Sequence, residues 1–236
     1  MKEGVASPDR IQRATEGAEP LVTVGRYSWF TRLNHWTLAG SFIILSLSGL
    51  ALFHPSLYWL TGLFGGGQNT RAFHPWVGVV LMAAWAIMFI RFWPYNLPDR
   101  TDVAWLKEGR SILRGDEGNV PEVGRYNAGQ KFVFWSFGVL VPALFLTGLA
   151  IWDQYFYGWT TIPQKRVAIL AHALLAIGMI VVWITHAYAA VWVRGTLRAM
   201  TRGYVTGGWA WRHHRKWLRD LVSGAGKNTP PATPAE

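Results

Sequence analysis

Val167-Ala-Ile-Leu-Ala-His172-Ala-Leu-Leu-Ala-Ile-Gly-Met-Ile-Val-Val-Trp-Ile-Thr-His186-Ala-Tyr-Ala-Ala-Val-Trp-Val193 contains no charged residue and two histidines. A helix rises about 1.5 Å per residue and the hydrocarbon core of a bilayer is about 30 Å thick, so roughly 20 such residues cross it. The stretch predicts a transmembrane helix. His172 and His186 are 14 residues apart, which is about 21 Å of rise and, at about 100° per residue, only some 40° of rotation. One helix face therefore offers an imidazole at each of two depths. An imidazole inside hydrocarbon is costly unless something binds it.

The rest of the chain extends this reading. No Lys, Arg, Asp or Glu occurs from Leu33 to Thr70, from Ala72 to Ile90 or from Phe132 to Trp152. His54-Pro55 and Gly65-Gly66-Gly67-Gln68-Asn69 break the first of these into a span and a loop. Predicted spans lie near 29–53, 72–93, 131–152 and 165–193. A water-soluble bundle needs charged outer faces on its helices, and a chain with 51% hydrophobic and 15% charged residues of 236 leaves these segments none. The expected fold class is an all-α membrane protein, a four-transmembrane-helix bundle. Trp29, Trp36, Trp59, Trp76, Trp152, Trp159 and Trp192 fall near span ends, where aromatic belts sit.

The net charge of +10 is a topology signal. Of 23 Lys and Arg, 20 fall in the N-terminal arm, the 91–131 loop and the stretch from Arg194, which four spans place on one side of the membrane. The opposite side holds Arg71, Lys165 and Arg166. The positive-inside rule puts both termini and the middle loop in the cytoplasm and accounts for the basic excess without nucleic acid. The first 28 residues carry no signal-peptide apolar region, so the first span is expected to stay as an anchor. With no cysteine, the chain has no thiolate for an iron–sulfur cluster and no C-x-x-C-H attachment, so any haem is b-type.

Three regions are expected: a cytoplasmic arm (1–26), a four-helix membrane domain (27–218) with a cytoplasmic loop (94–130), and a disordered cytoplasmic tail (219–236). Within the loop, Asp102 to Leu113 predicts a short amphipathic helix at the interface, followed by a turn through Gly115 to Gly118. No repeat of fixed period is expected.

Consecutive spans run antiparallel, which sorts the intramembrane histidines by depth. His35 begins the first span on the inner side and His74 begins the second on the outer side. The fourth span enters from outside, meeting His172 early and His186 late. Two pairs follow, His35 with His186 and His74 with His172. Two imidazoles complete six-coordination of haem iron, leave no open position and favour electron transfer. Ala39 and Gly78, four positions after His35 and His74, and Gly40, Gly49 and Gly148 supply small residues where a flat macrocycle needs room. His54, His213 and His214 are expected at the surface. Arg71 is placed either to neutralise haem propionates or to meet headgroups.

Asn34-His35-Trp36, Ser48-Gly49, Phe73-His74-Pro75, Asn96-Leu97-Pro98-Asp99, Val123-Gly124-Arg125-Tyr126-Asn127-Ala128-Gly129-Gln130-Lys131, His172-Ala173, His186-Ala-Tyr188 and Trp192-Val-Arg-Gly195 together resemble the membrane cytochrome b (gamma) subunit of respiratory formate dehydrogenases, from about 26 to 218. The resemblance implies two b haems ligated by His35/His186 and His74/His172, in agreement with the depth pairing. It also implies a quinone site (menaquinone or ubiquinone) at Asn127, Gly129 and Gln130, beside the inner haem. It further implies an iron–sulfur (beta) subunit as donor, a molybdenum or tungsten catalytic (alpha) subunit that oxidises formate, and residence in the bacterial inner membrane. The cytochrome b of a nickel–iron hydrogenase or another molybdoenzyme is an alternative. A haem-free anchor or proton-relay transporter is another, from a different class.

Overall fold

The computed structural model describes residues 22–114, 120–223 and 232–234. Four long helices dominate: α1 (Trp29–Phe53), α2 (Gly67–Phe92) and, beyond the short α3 (Arg100–Lys107), α4 (Ala128–Ile151) and α5 (Ile162–Trp192). All four are long and apolar enough to cross a membrane. Their outward faces are apolar, with Ile90 71%, Val139 66% and Leu146 65% exposed. Water does not tolerate continuous faces of that kind, whereas lipid does. Between the helices, Phe42, Leu81, Val141 and Met179 form a central core.

Each long helix except α2 starts on a side-chain cap. Ser28 Oγ accepts from Thr31 N at the start of α1. Asn127 and Gln130 form a capping box on α4, as do Thr161 and Gln164 on α5. These caps explain why α4 and α5 begin three residues before the spans predicted from charge-free runs. Lys131 and Lys165 lie inside the first helical turns. The expected amphipathic helix forms as α3, capped by Asp99, and a separate turn of helix at Gly109–Leu113. The expected turn through Gly115 to Gly118 lies outside the described residues.

One end of the bundle, where α1 and α4 begin and α2 and α5 finish, carries a cap. It comprises β1 (Val22–Gly25), α6 (Thr196–Thr201), β2 (Tyr204–Thr206), α7 (Gly207–His213), α8 (Arg215–Val222) and β3 (Ala232–Pro234). The strands form an antiparallel sheet in the order β2-β1-β3, with Thr23 opposite both Thr206 and Thr233. Val24, Ala199, Val205, Trp209, Ala210 and Trp217 make a second core beneath it. Residues 22–25 and 232–234 form strands and 219–222 continue a helix, where a flexible arm and a disordered tail were expected. Val24 and the tryptophans Trp209 and Trp217 bury one another, a gain invisible in either segment alone. Gly203 makes the junction possible. Its φ is +90°, its carbonyl accepts from Arg26 N and Tyr27 N, and a Cβ there would stand 2.7 Å from the Tyr27 carbonyl oxygen.

His214 corrects another expectation. It is 1% exposed rather than at the surface. Its Nδ1 donates to the Gly124 carbonyl (2.8 Å), and Arg26 Nη2 lies 3.4 Å from its Nε2. Burial first, and the Arg26 charge second, push its pKa down to about 3, so it serves as a neutral strut.

The structure also reveals a repeat where none was expected. Val24-Gly25-Arg26-Tyr27 recurs as Val123-Gly124-Arg125-Tyr126, and Ser48-Gly49-Leu50-Ala51 as Thr147-Gly148-Leu149-Ala150, both at a spacing of 99. His74 and Trp85 recur as His172 and Trp183, 98 apart. The contacts are reciprocal. Arg26 Nη2 donates to the Arg125 carbonyl (2.8 Å), Arg125 Nη2 donates to the Arg26 carbonyl (3.1 Å), and the Tyr27 and Tyr126 hydroxyls meet at 3.1 Å. The central core obeys the same relation, Phe42 answering Val141 and Leu81 answering Met179. Helix pair α1/α2 and helix pair α4/α5 are two copies of one unit, facing each other across an approximate two-fold axis.

Candidate functional site

Two pairs of imidazoles face each other inside the bundle. His35 of α1 and His186 of α5 lie toward the capped end with ring centres 6.3 Å apart. His74 of α2 and His172 of α5 lie toward the far end with ring centres 6.5 Å apart. The depth pairing expected from helical rise is the pairing the structure makes.

The far pair is held by hydroxyls. Ser48 Oγ and His74 Nδ1 are 2.7 Å apart, and Thr147 Oγ1 and His172 Nδ1 are 2.9 Å apart. Each hydroxyl has one proton, which goes to a carbonyl of its own helix, Ile44 (2.7 Å) or Ala143 (2.8 Å). With the hydroxyl proton on that carbonyl, the matching tautomer has Nδ1–H donating to the hydroxyl and the lone pair on Nε2. That tautomer, fixed from behind by a hydrogen-bond partner, is what a metal-ligating histidine requires. A Cβ on Gly49 would lie 3.5 Å from His74 Cε1, and one on Gly148 3.5 Å from His172 Cε1, so both rings rest directly on glycine. At the capped-end pair, His35 Nδ1 is buried without a hydrogen-bond partner, and Phe137 packs against His186 with ring centres 5.8 Å apart.

These distances suit one metal ion per pair. An imidazole nitrogen lies about 2.0–2.1 Å from a bound transition metal, and the ring centre lies about 1.1 Å behind it, so two rings sharing a metal have centres about 6.3 Å apart. Among the described residues no group of three or more His, Cys, Asp or Glu could hold a metal ion. A bare zinc ion would want four ligands. Two opposed imidazoles would suit a metal whose remaining ligands a macrocycle supplies, as in haem. At Gly78, one turn beyond His74, a Cβ would meet nothing within 4 Å, so the room expected beside that ring is there.

The two-fold axis passes between His74 and His172, which are equivalent. It does not relate His35 to His186. Their counterparts are Phe134 and Met88, at an apolar pocket where Phe89 stacks on Phe134 (5.2 Å, 7°). The α2–α4 side is thus closed by aromatic packing, while the α1–α5 side carries the imidazoles. Among the described residues the capped end brings one pair of imidazoles together, His35 with His186.

Asn127, Gly129 and Gln130 lie at the start of α4, at the capped end with His35 and His186. Asn127 Oδ1 accepts from Gln130 N (2.9 Å) and Gln130 Oε1 accepts from Asn127 N (3.0 Å). Both side-chain oxygens are committed to the helix cap, leaving two amide NH2 groups as donors. Gly129 has Trp105 of α3 across it, 3.2 Å from where a Cβ would stand. Arg71 is exposed beside the far pair, and His54 caps the 3-10 segment Pro55–Phe64. Ser48 and Thr147 were missed as functional residues. Comparing the chain with itself at a spacing of 99 would have shown Ser-Gly and Thr-Gly falling at equivalent places before two histidines.

A four-span bundle with opposed imidazoles at two depths defines a membrane cytochrome b. The model of the prokaryotic cytochrome b561 family matches residues 26–203. The cytochrome b556(fdo) subunit of formate dehydrogenase from Escherichia coli strain K12 is 43% identical over 84% of this chain and 93% of its own. The nitrate-inducible cytochrome b556(Fdn) subunit of the same strain is 38% identical over 86% and 93%. The formate dehydrogenase cytochrome b556 subunit of Haemophilus influenzae is 37% identical over 81% and 80%. The chain belongs to this family of formate dehydrogenase cytochrome b subunits, and haem b comes with membership.

Proposed function

We propose that the chain anchors a formate dehydrogenase complex in the bacterial inner membrane, with both termini and the capped end cytoplasmic, and holds two b haems, one between His35 and His186 and one between His74 and His172. The ring separations of 6.3 and 6.5 Å carry this reading. When bound, the haems supply one-electron transfer across the bilayer from an iron–sulfur partner at the far end to a quinone at the capped end. Oxidation of formate belongs to the molybdenum or tungsten subunit. The chain's own residues fix ligand tautomers through Ser48 and Thr147, exclude water with the Phe42 core, and offer amide donors to quinone at Asn127 and Gln130. The relatives' names favour formate dehydrogenase over a hydrogenase. A dithionite-reduced minus oxidised spectrum with a haem count per chain tests the reading. Two b haems per chain are the expected result, and a colourless protein would return it to a haem-free anchor or relay.

The quinone role separates from the cap role by one substitution. Asn127→Asp keeps the oxygen that caps α4, and Asp is as good an N-cap as Asn, but it removes the NH2 donors. Quinone reduction should slow about tenfold, the loss of one hydrogen bond of about 1.4 kcal/mol, while reduction of the haems by formate and thermal stability stay unchanged. Equal slowing of both electron-transfer steps would remove Asn127 from the quinone site.

A further inference from the structure

At the capped end a cavity of about 330 Å³ lies between the start of α1, the end of α2 and the loop before α4. Arg26, Arg91 and Arg125 line it, together with Tyr27, Thr31 and Tyr95. Among the described residues no acidic one does. Arg26 is 3% exposed, and its Nη1 is buried without a partner, as is Arg125 Nε. The ion pairs among the described residues join Lys131 to Asp99 and Asp102, Lys165 to Asp153, and Arg215 and Arg219 to Glu122, so none engages these three arginines. Trp217 and Trp209 lie over the Arg26 guanidinium at 4.7 and 5.1 Å, and Tyr95 over that of Arg125 at 5.1 Å. Rings share the charge without neutralising it. A guanidinium buried this deeply is unfavourable until an anion meets it, and its planar fork is shaped for a carboxylate or phosphate.

The cavity's position selects the anion. Thr31 is four residues before His35, on the same face of α1 and about 6 Å nearer the capped end. A group bound at His35 with acidic arms pointing out of the bilayer would send them here. We propose that this cavity seats the propionate carboxylates of the haem between His35 and His186, with Arg26, Arg91 and Arg125 as counter-charges and the hydroxyls of Tyr27, Thr31 and Tyr95 as further donors. This rests on the assignment of a haem to that pair. The phosphate of an anionic lipid has the same chemistry and is the competing source.

Reduction of a haem adds a negative charge, so cations at its propionates favour the reduced form. The test is a spectroelectrochemical titration of the intact complex, as wild type and as Arg91→Gln. Arg91 stands on the cavity wall and makes no hydrogen bond or ion pair among the described residues, so its loss spares the fold. Arg26→Gln is the second variant, because it also breaks the crossed contact with Arg125. Each is measured in phosphatidylcholine vesicles with and without phosphatidylglycerol. His35→Leu, left with the far-end haem alone, identifies which wave belongs to which haem. The expected result is a tenfold loss in the reduction equilibrium of the capped-end haem, about 59 mV for one electron. The far-end haem should not move, both haems should be retained, and the shift should be equal in both lipids. An unmoved capped-end haem in both variants overturns the proposal, and a shift confined to phosphatidylglycerol vesicles assigns the anion to lipid. Retention of two haems by His35→Leu would instead sink the underlying haem assignment.

Discussion

His74→Leu should lower the haem content of the purified subunit from two per chain to one. Leucine suits hydrocarbon and removes the Nε2 lone pair that faces His172. It leaves no orphan behind, because Ser48 Oγ still donates to the Ile44 carbonyl (2.7 Å). His172 keeps its Thr147 partner but is one ligand short. The His35/His186 pair is separated from the far pair by 14 residues along α5, about 21 Å. Among the described residues no hydrogen bond or ring contact joins the two pairs, so loss at one should leave the other intact. A pyridine haemochrome count still at two would refute the far-end ligand assignment.

Lys131→Met should be among the most destabilising single changes outside the imidazole pairs. Lys131 is 7% exposed, and its Nζ donates to Asp102 Oδ2 (2.8 Å) and Asp99 Oδ2 (2.9 Å), tying α3 to the first turn of α4. Removing the ammonium leaves the Asp102 carboxylate, whose side chain is 12% exposed, without its counter-charge and with only the Asp99 N–H (2.7 Å) as a partner among the described residues. Breaking such a buried pair costs about 3–5 kcal/mol. Asp99, at 54% side-chain exposure, adds little. The expected readouts are a lower thermal midpoint and faster proteolysis of the 94–130 loop, with both haems retained. Asp102→Asn in the same background should recover most of the loss. Failure of that rescue would mean that the lysine acts through packing rather than charge. The pH dependence has a definite sign. Burial raises the Asp99 pKa, but hydrogen bonds from Thr101 and Lys131 outweigh it and hold the group down at about 2. Its contribution is present in full above about pH 4, the unfolded carboxylate value, and is lost as pH falls toward 2.

Much of the site was legible in the chain because it depends on helix geometry alone. Rise and rotation per residue placed His172 and His186 on one face at two depths, and antiparallel spans then gave each its partner. The small residues were read less well. Gly49 and Gly148 support imidazoles rather than leaving open room, while Gly40, like Gly78, has nothing within 4 Å of where a Cβ would stand. His214, Arg26 and Trp217 looked like members of a basic surface and a loose tail. They are instead buried together, because aromatic rings and a backbone carbonyl 90 residues away accept them.

Charge-free length and the depth of each histidine thus set the class of fold and the two imidazole pairs, since both follow from 1.5 Å and about 100° per residue. Packing decided the rest. The Ser48 and Thr147 hydroxyls, the crossed arginines and the cavity between them join segments far apart in sequence, and no local periodicity records which of those meet. The same holds for the unequal sides of the bundle. Two copies of one helix pair enclose the axial His74/His172 site, and only their divergence, Phe134 and Met88 against His35 and His186, fixes where the second one lies.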